Sequence, residues 1–179
     1  MSDQTAQAYE QLIHAAELAR DREQIVDVDE ETEQLVVFKL ADQLFAMPGR
    51  YVRELIPTGD IVHVPGTSPL FLGVIPVRGD IVSVLDLARL LGMPPSTIAA
   101  ARTRSGRILM VAREEMNTGM LVDAVTDIID APGSAIQPQL STLDPQLARL
   151  ADGQLLFNGQ PTPILNVASL FQTLQEACA

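Results

Sequence analysis

Residues 35–56 read LVVFKLADQLFAMPGRYVRELI, and their apolar pattern returns 73 residues later, over 108–129. At this offset Val36 meets Leu109, Phe38 meets Val111, Met47 meets Met120, Val52 meets Val125, Leu55 meets Ile128 and Ile56 meets Ile129. A second match follows at an offset of 80. Gly73 meets Gly153, Gly79 meets Gly159, Val84 meets Ile164, Leu85 meets Leu165, Ala88 meets Ala168 and Leu90 meets Leu170. Apolar strands match by chance easily, but paired glycines before and within a hairpin do not. The chain therefore carries an internal repeat, of two similar halves with about five short strands each. A half of that size cannot bury a deep core alone. Small five-stranded sheets escape exposed edges by closing into barrels. Two small barrels packed together, with a cleft between them, are the expected architecture.

The strand signals are short apolar runs bounded by turn residues. LVVFKL (35–40) and QLFAMP (43–48) flank Ala41-Asp42 and read as a hairpin. YVRELIP (51–57) and IVHVP (61–65) read as further strands. Gly73–Val77 and Ile81–Leu87 flank Arg78-Gly79-Asp80, a second hairpin with a helical tail over Leu85–Leu91. Residues 92–106, rich in Pro, Ser, Thr, Ala and Gly, read as a connector. RILMVA (107–112) and MNTGMLVD (116–123) predict another hairpin, and AVTDIID (124–130) resembles YVRELIP. SAIQPQLSTLDPQLARL reads as loop with one or two helical turns, and residues 154–171 close the pattern. Ahead of all this, Tyr9, Leu12, Ile13, Ala16 and Ala19 fall at helical spacing, predicting an amphipathic helix to about Arg22. The acidic run DVDEETE (27–33) follows and reads as a solvated linker, with an acidic docking arm as the functional alternative. The domain reading is thus 1–33 helix and linker, 34–173 the repeat, and 174–179 a tail.

The formal net charge of −11 argues against nucleic acid and anionic membrane as partners. Trp is absent and other aromatics are few, so a base-stacking platform is not expected. No apolar run approaches the roughly 18 residues of a membrane span. The N-terminus lacks the basic start and apolar core of a signal peptide. With a single Cys178 there is no disulfide framework. These features predict a cytoplasmic protein. Catalytic signals are also missing. His14 and His63 lack neighbours at metal-ligand spacing, Cys178 sits in a terminal tail, and Ser83 and Ser105 have no nucleophile-elbow context. Nothing in the spacing of Asp80, Asp86, Asp123 and Asp127 selects a carboxylate pair. The reading is a non-enzyme with no cofactor and no metal.

The stretch GVIPVRGDIVSVLDLARLLG (73–92) closely resembles the signature of CheW-type chemotaxis coupling proteins, through Gly73, Val74, Ile75, Arg78, Gly79, Val84, Asp86 and Leu87. Val52, Glu54 and Leu55 fit that family's first turn. Gly119, Val122, Asp123, Val125 and Asp127 fit its later G-x-x-V-D-x-V-x-[DE] segment. The likeness covers about residues 34–173. It departs from the family at Pro76, which stands where Asn is usual, and in the long acidic extension before residue 34. The resemblance implies a mainly β fold of two intertwined SH3-like five-stranded barrels with short helices. It implies a scaffold that couples chemoreceptor tips to the regulatory domain of a chemotaxis histidine kinase, in membrane-associated arrays, with self-association in array rings. Adaptors of pilus or other chemosensory pathways look similar, and a small-ligand sensor using the inter-barrel cleft is the rival from another class.

Carried over residue by residue, the resemblance places a receptor-binding groove at Val52, Gly73, Val125 and Ile128, and pairs Arg78 with Glu54. Arginine suits that role, because its planar fork matches a carboxylate. Gly79 has a simpler reading, as the residue that takes positive φ in a two-residue hairpin turn.

Overall fold

A computed structural model describes residues 31–94, 106–138 and 144–178. The expected N-terminal helix with His14, most of the connector, Arg102, Arg104 and Ser105 lie outside them. Ten strands form: β1 (Thr32–Leu40), β2 (Gln43–Pro48), β3 (Val52–Pro57), β4 (Phe71–Val77), β5 (Asp80–Asp86), β6 (Arg107–Arg113), β7 (Met116–Val122), β8 (Ala124–Pro132), β9 (Ala151–Phe157) and β10 (Gln160–Leu165). Three α-helices accompany them among the described residues: α1 (Leu87–Leu90), α2 (Pro145–Arg149) and α3 (Val167–Cys178).

The strands form two five-stranded sheets, ordered β8-β1-β2-β10-β9 and β3-β6-β7-β5-β4. Under the repeat the two orders are the same order. Neither sheet follows one half of the sequence, however. Each takes two strands from one half and three from the other, so the halves are interlocked. The irregularities repeat as well. Arg53 in β3 and Thr126 in β8 are skipped in the ladders with β6 and β1, and Leu72 in β4 and Asp152 in β9 are skipped opposite β5 and β10. Such bulges turn a strand and sharpen its twist, as a small barrel requires.

Three apolar clusters result. Each barrel has a small interior: Ile75, Val82, Val84, Ile108, Met110 and Leu121 in one, Leu35, Val37, Ala46, Ala131, Leu155 and Ile164 in the other. Alternate residues on the same strands point the other way. There Val36, Phe38, Met47, Leu85, Leu109, Val111, Met120 and Leu165 join Leu170, Phe171 and Leu174 of α3 in one larger central cluster. That cluster seals the two sheets together.

Two local readings change. IVHVP is not a strand: only Val62 pairs, by one bridge to Val74, because Val64-Pro65 turns the chain away from the sheet. His63 is exposed there, as a loop residue. The helix after β5 spans only Leu87–Leu90, because Leu85 and Asp86 continue the parallel pairing with β7. Asp86 then caps the helix, its Oδ1 accepting from the Arg89 N–H at 3.2 Å. Asn166 does the same for α3, accepting from the Ser169 N–H at 2.8 Å.

Because each barrel borrows strands from both halves, neither half should fold alone. Chains ending or starting between residues 95 and 105 are expected to be unfolded singly, and to recover the full strand signal when mixed. Circular dichroism and amide exchange check this; a folded isolated half would contradict the interlock.

Candidate functional site

The β4–β5 hairpin carries the residues singled out by sequence. Arg78 (φ 51°) and Gly79 (φ 99°) make its two-residue turn, both left-handed. The equivalent β9–β10 turn uses Asn158 (φ 50°) and Gly159 (φ 76°). Asn-Gly is the favoured solution for such a turn. Arg78 shares its left-handed position with Ala41 (φ 51°) and Glu114 (φ 56°) in the other two hairpins, a backbone that costs such a residue roughly 1–2 kcal/mol. Pro76 is accommodated by register. Val77 and Asp80 close the turn, so Pro76 opposite Ile81 falls in a non-hydrogen-bonded pair and removes no ladder donor.

From this turn the Arg78 Nη2 donates to Glu54 Oε1 of β3 at 3.0 Å. The Arg78 side chain is 79% exposed and that of Glu54 33%. An ion pair so open to solvent contributes about 0–1 kcal/mol. The pair is therefore a weak tie between the hairpin tip and β3.

The four expected groove residues differ in burial. Val52 and Val125, on the equivalent strands β3 and β8, both pack against the central cluster. Ile128 stands out from β8, 49% exposed. Gly73 is buried in β4 with φ 149°, and a Cβ built on it would lie 2.2 Å from the Val62 carbonyl oxygen. Its open face is thus occupied by this chain's own backbone. Val62 and Val74 exchange two hydrogen bonds of 2.9 Å across it. Gly153 has the same function opposite Gln137, whose carbonyl oxygen would lie 2.8 Å from a Cβ built there.

Beside Gly73 lies a groove of about 570 Å³ that sequence reasoning did not anticipate. It is lined by Phe71, Gly73, Val74 and Ser83 of the hairpin, by Val64, Thr67 and Ser68 of the preceding loop, and by Ala177 of α3. Nothing in a linear pattern brings α3 to this loop. Elsewhere Arg50 lies over the Tyr51 ring, 4.9 Å from its centroid, and pairs with Glu33. The hydrogen bond with Tyr51 raises the Arg50 pKa above its ordinary value; burial works against it, and the Glu33 carboxylate adds to the rise. Among the described residues no three His, Cys, Asp or Glu side chains gather as a metal site, and no helix is long and apolar enough to cross a membrane.

Comparison with known proteins matches this architecture. The CheW-like domain family model matches residues 34–175. A probable chemotaxis protein CheW from Rhizobium etli is 31% identical over 150 residues, covering 82% of this chain and 92% of that protein. Protein PilI from Pseudomonas aeruginosa is 26% identical over 135 residues, covering 75% and 73%. The crystal structure of the scaffolding protein TtCheW from Thermoanaerobacter tengcongensis superposes with a TM-score of 0.68 at 25% identity, covering 81% of this chain and 91% of that one.

Two substitutions test the local physics. Gly73→Ala drives a methyl into the Val62 carbonyl and should cost about 2–4 kcal/mol in denaturant unfolding. Arg78→Asn installs the turn of the second hairpin. It should leave stability unchanged or raise it by up to about 1 kcal/mol, and a clear loss would show the ion pair to be a structural tie.

Proposed function

Because the chain belongs to the CheW-like family, and is a scaffold of that family, we propose that it couples the cytoplasmic tips of chemoreceptors to the regulatory domain of a chemotaxis histidine kinase. The observation that carries this reading beyond family membership is the Arg78 turn. The Arg78 side chain is 79% exposed at the hairpin tip and reaches across the surface to Glu54 of β3. Arg78 and Glu54 join the tip of the β4–β5 hairpin to β3, so the pair sets the shape of a surface made by both. Val52, Gly73, Val125 and Ile128 are the receptor-facing set under this reading. Ile128 supports it by its exposure, and Val52 and Val125 by standing only partly buried on the equivalent strands β3 and β8. Gly73 acts indirectly, by letting the barrel edge close. The protein does no chemistry in this role, and it works at the cytoplasmic face of receptor arrays.

The likeness to protein PilI carries a second reading, in which the same adaptor serves a non-flagellar chemosensory pathway. The two differ in the receptor and kinase that bind, not in the surface used.

Calorimetry at physiological salt should give micromolar or tighter binding to the cognate kinase regulatory domain or to a receptor-tip fragment. Arg78→Ala should weaken at least one of these by tenfold or more while the unfolding free energy moves by less than about 1 kcal/mol. A folded wild-type chain that binds neither partner would refute the adaptor reading.

A further inference from the structure

Glu54 has a counterpart in the second half with a different task. At the offset of 73 Glu54 matches Asp127, and at the offset of 80 Arg78 matches Asn158. The second half thus has a neutral amide where the first has a cation. Asp127 turns back on its own strand instead, and its Oδ1 accepts from the Ile128 N–H at 2.8 Å. Register shows what that bond does. Leu40 and Gln43 flank the β1–β2 turn, so Leu40, Phe38, Val36 and Gln34 direct their backbone N–H and C=O groups toward β2. The residues between them face β8. The Lys39 carbonyl agrees, since it accepts from the Asp123 N–H at 3.0 Å. Val37 lies opposite Asp127, Leu35 opposite Ile129 and Glu33 opposite Ala131, and these pairs carry the ladder. Ile128, Asp130 and Pro132 consequently aim their backbone groups out of the sheet.

β8 is an end strand of its sheet. The end strands β4 and β9 are covered by Val62 and Gln137. Among the described residues no backbone hydrogen bond reaches the outer side of β8. Asp127, Ile128 and Asp130 are exposed along it. A nine-residue edge with an exposed isoleucine is a template for another strand. Three features blunt it. The bulge at Thr126 interrupts the ladder, Pro132 has no N–H to give, and Asp127 occupies the Ile128 donor. Asp130 is left as the one open outward donor over 128–132. On β3 the burden differs. Arg113 and Met116 flank the β6–β7 turn, so Glu54 and Ile56 face β6 while Leu55 and Pro57 face outward. There proline removes the donor that Asp130 keeps on β8, and Glu54 is free to reach Arg78.

We propose that Asp127 guards the outer edge of β8, by holding the Ile128 N–H, against pairing with the same edge of a second copy. An antiparallel pairing of two β8 strands about a two-fold axis at Ile129 sets Ile128 of each copy opposite Asp130 of the other. It would be held by bonds from the Ile128 N–H to the Asp130 carbonyl and from the Asp130 N–H to the Ile128 carbonyl, once in each direction. With Asp127 in place half of these bonds are unavailable. The guard is a property of the fold and does not depend on the adaptor reading. It leaves Ile128 uncovered.

The test compares the full wild-type chain with Asp127→Ala, Asp127→Asn and the double variant Asp127→Ala/Pro132→Ala, by sedimentation velocity up to millimolar concentration and by amide exchange. In the dilute wild type the Ile128 amide should exchange more slowly than the Asp130 amide, after correction for intrinsic rates, and Asp127→Ala should remove that difference. Asp127→Ala should also tighten self-association by roughly tenfold or more, with the Ile128 and Asp130 amides gaining protection as concentration rises. Adding Pro132→Ala, which restores an outward donor, should tighten it further. Asp127→Asn keeps the Oδ1 acceptor and should behave as the wild type does. Equal corrected rates for the two amides in the dilute wild type overturn the proposal. So do alanine variants that associate no more than the wild type, or that associate without protecting these amides. An Asn variant that associates like the Ala variant overturns it too, by assigning the effect to charge, as does a wild-type chain whose β8 amides gain protection with concentration.

Discussion

Each barrel is closed by a carbonyl oxygen resting where a side chain would otherwise be. The Val62 oxygen over Gly73 and the Gln137 oxygen over Gly153 let a passing segment pair with β4 and β9. These strands would otherwise be open edges, with unpaired backbone groups that invite aggregation. A longer strand could do the same work only by adding residues to a barrel that has little interior to spend on them. The glycines are therefore a constraint on the whole fold. They allow small sheets to close, and closed sheets can then turn their other faces toward each other to build the central cluster.

That central cluster explains why the halves interlock. The interior of one barrel, such as Ile75, Val84, Ile108 and Met110, is thin. Most of the large buried side chains face the seam instead: Phe38, Phe45, Met47, Leu85, Leu109, Met120 and Leu165 are fully buried, and all belong to the central cluster. Apolar burial contributes in proportion to area, so the seam and not the barrels holds most of the favourable energy. Parallel pairing of β5 with β7, and of β10 with β2, joins strands from different halves. Each half then enters the seam already committed to the other.

The repeat, the hairpins and their turns were legible because they are local. Alternation marks strands, and Arg78-Gly79 and Asn158-Gly159 mark turns. What an offset match does not encode is which strand lies beside which, since two separate barrels and two interlocked ones produce the same pattern. The bulges at Arg53 and Thr126 were invisible for a related reason. They shift a register by one residue while leaving the apolar spacing intact. IVHVP looked like a strand because its composition is that of one, yet Pro65 and the closure over Gly73 leave it a single bridge. Gly73 shows the limit most clearly. Its spacing in the hairpin signals that something approaches closely, but whether that is a partner or the chain itself depends on where Val62 lies in space.

A duplicated fold starts with two copies of every surface, so the places where the copies differ show where one of them has been put to another use. Most of the equivalent positions here have stayed alike, down to the capping residues Asp86 and Asn166 and the skipped residues of the ladders. Three differences fall together on the first hairpin. Arginine replaces asparagine in the turn, a leucine-bearing helix is reduced to a turn with Thr67, and α3 runs on where α1 stops after Leu90. Each makes that hairpin less self-sufficient: its turn lacks the favoured Asn-Gly pair, and its groove is lined in part by Ala177 from the far end of the chain. A hairpin under selection for stability alone would drift toward its twin, since the second copy supplies a working solution at every position. Under the adaptor reading, that deficit is made up by what binds there.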